Sequence, residues 1–280
     1  MHGLEHWTHF YTDYGVELQK RFFDHFLKGA DNGWPDQPPV LLQVRRIDGF
    51  VERAEREWPL ARTQWTRLYL DPADRALARE PVGGAGSLPY EAMGDGLTFE
   101  TAPLERETEI TGPLAAKLFV SSSTEDADLF LVFRVFDPDG EEITFPGALD
   151  PHTPIGQGWL RASHRKLDAE LSTDYRPYHT HDELQPLTPG EVYELDVELW
   201  PTSIVVPAGH RLALTVRGKD YEYPGEHVKL GPYEMKGCGP FVHDDPRDRP
   251  PEVFAGTNTL HAGGEQGSYL LLPIVPPEQP

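Results

Sequence analysis

Residues able to do acid–base or metal chemistry fall in a few short runs of this chain. His2, His6 and His9 recur at helical spacing near the amino end, and "HTHDE" sets His179 and His181 two apart beside Asp182. Imidazole and carboxylate donors suit zinc or manganese where they converge, and such a site would open a metal-dependent hydrolase reading. Histidines spaced by two are common by chance, so the expectation is no metal and no cofactor. His243, beside Asp244 and Asp245, reads as part of a solvated loop. Cys238 stands in "KGCGP" with Lys236 as its one basic neighbour, which reads as a structural thiol rather than a nucleophile. Asp126 and Asp128 flank Ala127 just before an apolar run, placed to tether a neighbouring loop or to bind calcium. No serine lies in a Gly-x-Ser-x-Gly elbow, and there is no P-loop, dinucleotide fingerprint or His-Glu-x-x-His helix.

The elements that must position these groups divide the chain into three stretches. Within residues 1–33, Val16, Phe22, Phe23, Phe26 and Leu27 recur at three-to-four spacing, which predicts an amphipathic helix closed by Lys28 and Gly29. Residues 34–103 mix short strands with turns: "PPVLLQVRR" puts Val40, Leu42 and Val44 on one face, and a Trp-Pro corner leads into a strand through Trp65, Arg67 and Tyr69. "GGAGSLPYEAMGDG" reads as a solvent loop. Residues 104–280 are rich in strands. Leu129, Leu131, Phe133 and Val135 alternate with Phe130, Val132 and Phe136, so this strand is expected to be covered on both faces and closed by an Asp-Pro-Asp-Gly turn. Strands with turn signals about every ten residues, and no βαβ rhythm, predict a mainly β protein of the sandwich or jelly-roll kind.

Composition narrows the function classes. Lys and Arg number 25 against 46 Asp and Glu in 280 residues, a formal charge of −21. That balance repels phosphate backbones and anionic lipid, so neither nucleic acid nor membrane is an expected partner. One cysteine excludes an intramolecular disulfide and a cysteine-based zinc site. No apolar run approaches the 18 residues of a membrane span, and the first 30 residues lack a signal-peptide layout. A cytoplasmic location is the expectation.

The order of the motifs resembles a known family. "HWTHFYTDYG", "KRFFDHFLKGADNGW", "PPVLLQV" and the Trp-Pro corner resemble the end of the hydrolase domain in the cocaine esterase and X-Pro dipeptidyl-peptidase (CocE/NonD) family of serine hydrolases. "TEITGPLAAKLFVSSSTEDADLFLVFRVFDPDG", "GWLRASHR", "LTPGEVYELDVELWPTSIVVPAGHRLALTV" and "GSYLLLPIVP" resemble its C-terminal jelly-roll domain, a galactose-binding-like β-sandwich. The resemblance implies an α/β-hydrolase whose catalytic histidine lies in a Trp-Ser/Thr-His turn. Here that turn is Trp7-Thr8-His9, which makes His9 the general-base candidate. His6 is the second choice, because Glu5-His6 replaces the family's Gly-Pro before the Trp. In α/β-hydrolases the triad runs Ser, then Asp or Glu, then His. The nucleophile and acid would then lie upstream of Met1, and the chain alone is expected to be inactive. Expected partners are the missing N-terminal hydrolase domain or a split-gene partner. A small ester, amide or peptide is the expected substrate of the intact enzyme, and homo-oligomers are compatible with the same reading. Without the hydrolase sheet, Phe22, Phe23 and Phe26 would form an exposed patch of several hundred Å². A loop such as 218–245 would border the site. The alternative from another class is a self-contained β-sandwich that binds carbohydrate or protein, with Trp34, Trp58, Trp159 and Tyr223 as stacking platforms.

Overall fold

The computed structural model describes residues 11–147, 150–239 and 242–277. The expected helix is α1 (Asp13–Lys28). Thr12 caps its start, its hydroxyl accepting from the Gly15 amide, which satisfies one of the orphan donors of the first turn. At the other end Gly29 takes φ 65°, and the Gly29 and Ala30 amides donate to the His25 and Asp24 carbonyls. A side chain at Gly29 would be strained in that left-handed conformation, so glycine there fixes where the helix stops.

Strands follow almost without interruption. They are β1 (Val40–Arg46), β2 (Gly49–Glu55), β3 (Gln64–Asp71), β4 (Ala76–Ala78), β5 (Gly86–Glu91), β6 (Leu97–Glu100), β7 (Thr108–Ser122) and β8 (Asp128–Phe136). Beyond them come β9 (Glu142–Ile143), β10 (Gly156–Arg161), β11 (Tyr193–Val206), β12 (Arg211–Arg217), β13 (Val228–Leu230) and β14 (Tyr233–Met235). A single helical turn, α2 (Pro251–Phe254), precedes β15 (Thr257–Ala262) and β16 (Tyr269–Val275). All but β13 and β14 belong to one curled, mostly antiparallel sheet, whose main path runs β10-β8-β12-β6-β4-β3-β16-β7-β11-β1-β2. The protein is mainly β, as the turn spacing predicts.

The curl is visible where β10, one end of that path, lies on β11 near the other end. A Cβ at Gly158 would collide with the Glu198 carbonyl, so only glycine permits the two backbones to approach so closely. Inside the curl, Phe99, Phe133, Leu70, Leu114, Leu118, Leu131, Leu199 and Leu214 are all but fully buried. β8 is buried on both faces between β10 and β12, in agreement with its two-sided apolar pattern. The Asp137-Pro138-Asp139-Gly140 turn closes through the Asp137 carboxylate, which accepts from the Asp139 and Glu141 amides at 2.9 Å.

Two local features depart from a plain ladder. The glycine-rich run expected as a solvent loop contains β5, which pairs with β15 at an edge of the sheet. Tyr90 reaches the core, and edge placement tolerates Pro89, which has no amide to donate. β11 and β7 pair from Tyr193↔Val120 to Leu199↔Leu114, then slip in register and resume at Thr202↔Gly112. Pro201 lies at the slip, where a ladder hydrogen bond would otherwise be lost, and the bulge turns Trp200 outward.

Candidate functional site

Strands β8, β10 and β11, the segment between β10 and β11 and the segment after β14 line a cleft of about 450 Å³. Its floor is an ion network on Asp128. Arg161 donates to both Asp128 oxygens at 2.8 and 3.0 Å, and Arg249 Nε donates to Asp128 Oδ2 at 2.8 Å. Arg249 is 4% exposed, and its other nitrogens donate to the His243 and Gly218 carbonyls at 2.8 and 2.6 Å. Arg161 also reaches the Asp248 carboxylate at 3.1 and 3.2 Å, and its hydrogen bonds with Asp128 raise its proton affinity further. Asp126 Oδ1 accepts from the Ser163 amide at 2.9 Å. The pair of acids flanking Ala127 therefore tethers loops, the first of the two roles their spacing allows.

The walls are aromatic and imidazole. Trp159 and Trp200 meet edge to face at 5.3 Å, with Trp200 65% exposed. His243 does not stand free in its loop: its amide and Nδ1 both meet Asp220, at 2.5 and 3.0 Å, and Trp159 Nε1 donates to the same carboxylate at 3.3 Å. The Asp220 hydrogen bond holds the His243 pKa above the ordinary histidine value. Across the cleft, His164 Nδ1 and His181 Nδ1 lie 3.1 Å apart, with the His179 ring 6.0 Å from that of His181. Burial pushes the His179 pKa down. Glu198, also lining the cleft, has its pKa raised by burial. Among the described residues no group of three or more His, Cys, Asp or Glu is arranged to hold a metal ion.

Other residues singled out in the sequence fall elsewhere. Cys238 donates to Gln157 Oε1 at 3.0 Å, and burial pushes its thiol up to about 12, so it stays protonated and inert at neutral pH. Trp34 packs on Phe22 at 5.2 Å, Tyr223 stacks on His152 at 3.9 Å, and Trp58 lies in the Trp-Pro corner. Of the four stacking platforms expected, Trp159 alone lines this cleft. Trp200 was not expected there, although a proline inside a strand pattern signals the bulge that presents it. His164 was not expected either; its partner lies 17 residues away, and nothing local marks the meeting. His9 and His6 lie outside the described residues.

A second surface belongs to α1. Val16, Phe22, Phe23, Phe26 and Leu27 are exposed, Phe26 at 60% and Leu27 at 76%, as the amphipathic pattern predicts for a helix without its cover. The polar side is served by Lys20 and Lys28, which bracket Asp24 at 2.8 and 2.6 Å. No described helix is long and apolar enough to cross a membrane.

This combination defines a class: a mainly β domain with a well-tied cleft, no nucleophile elbow in its sequence, and one uncovered helix at its amino side. The chain belongs to the family of X-Pro dipeptidyl-peptidase C-terminal non-catalytic domains, whose family model matches residues 32–271. A Mycobacterium bovis protein named "Putative serine esterase Mb1866c" is 30% identical over 258 residues, covering 79% of this chain and 37% of that protein. The cocaine esterase of a Rhodococcus strain is 25% identical over 296 residues, covering 92% and 45%. The crystal structure of a CocE/NonD family hydrolase from Staphylococcus aureus superposes with a TM-score of 0.82 at 28% identity, covering 95% of this chain and 46% of that one. The chain thus spans less than half the length of the relatives it matches.

Proposed function

We propose that this chain acts as the non-catalytic β domain of a CocE/NonD-type serine hydrolase and does not turn over substrate on its own. The observation that carries the reading is the exposed apolar face of α1, directly before the family-matched body that starts at residue 32. In this reading residues 1–33 belong with a hydrolase domain, residues 34–103 lead into the β body, and residues 104–280 form most of it. His9, in the Trp7-Thr8-His9 turn, is the general base, with His6 as second choice. A histidine activates a hydroxyl only when a nucleophile and an orienting acid are held against it. Those groups would come from a hydrolase domain on the same or another polypeptide. The substrate is then a small ester, amide or X-Pro peptide, and the cytoplasm is the proposed location.

The test is direct. The 280-residue chain, given p-nitrophenyl acetate and a Gly-Pro anilide, is expected to show no turnover and no labelling by a fluorophosphonate. Turnover that such a probe blocks would overturn the reading. A second reading, a binding module, is favoured by Trp200 standing exposed across from Trp159 in the cleft. It predicts retention on a carbohydrate affinity gel that is lost with Trp200→Ala.

A further inference from the structure

The imidazole wall of the cleft has a geometry that the hydrolase reading does not use. His164 ends a short helical turn that follows β10, and His181 lies midway along the irregular segment between that turn and β11. Backbone pairing brings them together. The Thr180 amide donates to the Lys166 carbonyl at 3.0 Å, and Leu167 bridges His179; that register sets His181 opposite Arg165, one residue diagonal to His164, close enough for the two rings to meet. Lys166 ties the segment from the side, with Nζ 3.1 Å from Asp182 and 3.0 Å from Glu183. His181 is held at φ 53°, a conformation that non-glycine residues adopt rarely and that aims its ring at His164.

The separation of the two Nδ1 atoms, 3.1 Å, decides what the pair can do. Two imidazole nitrogens each about 2.0–2.1 Å from one ion stand about 3.4 Å apart at a tetrahedral angle and about 2.9 Å apart at a right angle. The observed spacing falls between these limits. We propose that His164 and His181 form a two-histidine chelate for a borderline-soft divalent ion of the zinc, nickel or copper class. Such an ion would take the place of the one proton the two nitrogens can share, and the ring that carried it would keep its hydrogen on Nε2 instead. The remaining coordination positions stay open to water, because among the described residues no third ligand converges on the same point. The His179 ring stands 6.0 Å from that of His181, and its buried Nε2 has no hydrogen-bond partner among the described residues. Asp182 and Glu183 add negative field beside the pair. The inference is independent of the hydrolase reading, since it concerns only the cleft.

Calorimetric titration of the full chain with Zn²⁺ and with Cu²⁺ at neutral pH tests it. The amino-terminal histidines His2, His6 and His9 are a competing source of ligands, so the background protein carries His2→Ala, His6→Ala and His9→Ala. That protein is expected to bind one equivalent of each ion, copper more tightly than zinc as the Irving–Williams order requires. Copper should also quench the fluorescence of Trp159 and Trp200. Replacing the pair by His164→Gln and His181→Asn, asparagine being tolerant of the left-handed backbone, should weaken zinc at least tenfold and abolish the quenching, with the circular dichroism unchanged. The control His243→Gln should bind as before. Zinc binding equal in the paired variant and its parent, or lost altogether once the amino-terminal histidines are replaced, would overturn the proposal.

Discussion

The Asp128 network and the outer face of α1 both gather large side chains and charges, yet they are finished to different degrees. Around Asp128, two guanidiniums, a carboxylate and their backbone partners close on one another, and Arg249 is sealed from water. Around α1, the charges pair along the helix while the rings beside them stay largely in solvent, Phe22 and Phe26 meeting each other and Trp34. Burial decides which arrangement is self-sufficient. A buried ion network in which each guanidinium nitrogen finds an acceptor specifies the strands that supply it, whereas exposed rings leave stabilisation unrealised until something covers them. The β body is therefore sealed around this network, whereas α1 leaves its apolar face in solvent.

The largest expected effect comes from breaking the sealed side. Asp128→Ala strands Arg249 in a buried position and should lower stability by about 3–5 kcal/mol, read as a shifted urea midpoint. Next, Gly29→Ala forces a Cβ into the left-handed cap and should cost about 1–2 kcal/mol, seen as lost helicity with the strand signal intact. The Asp220–His243 pair gives a pH signature. Its histidine pKa is raised on folding, so the pair stabilises fully below about pH 6.5, the unfolded value, and progressively less as the pH rises through the raised value. Asp220→Asn should remove that dependence and return the His243 titration, followed by NMR, toward the ordinary range. Smallest of all, Phe26→Ser on the open face should change stability by no more than about 0.5 kcal/mol while reducing self-association. A large loss of stability from Phe26→Ser would show the helix face to be covered already.

How far these regions could be read in advance follows from the range of the interactions that make them. α1 was legible in its body and at its closing end, because its period, its closing Gly29 and its apolar stripe are all local; its start at Asp13, capped by Thr12, was not. β8 was legible because a strand buried on both faces needs apolar residues at every position. The tether role of Asp126 and Asp128 was open as one of two options, and their partners Ser163, Arg161 and Arg249 lie too far along the chain to choose between them. β5 was hidden by the glycines around it, since its strand character rests on pairing with β15 more than 160 residues away. The His164–His181 and Asp220–His243 meetings carry no local signal at all. They arise from how β10 and β12 deliver their following segments to one rim.

The contrast between a finished β body and an unfinished helix is tested most directly by native-state hydrogen exchange of the 280-residue chain. The amides of β8 and β12 should exchange only through global unfolding, and those of α1 through local opening at far lower free energy. Equal protection of α1 and β8 in a monomer would contradict the account.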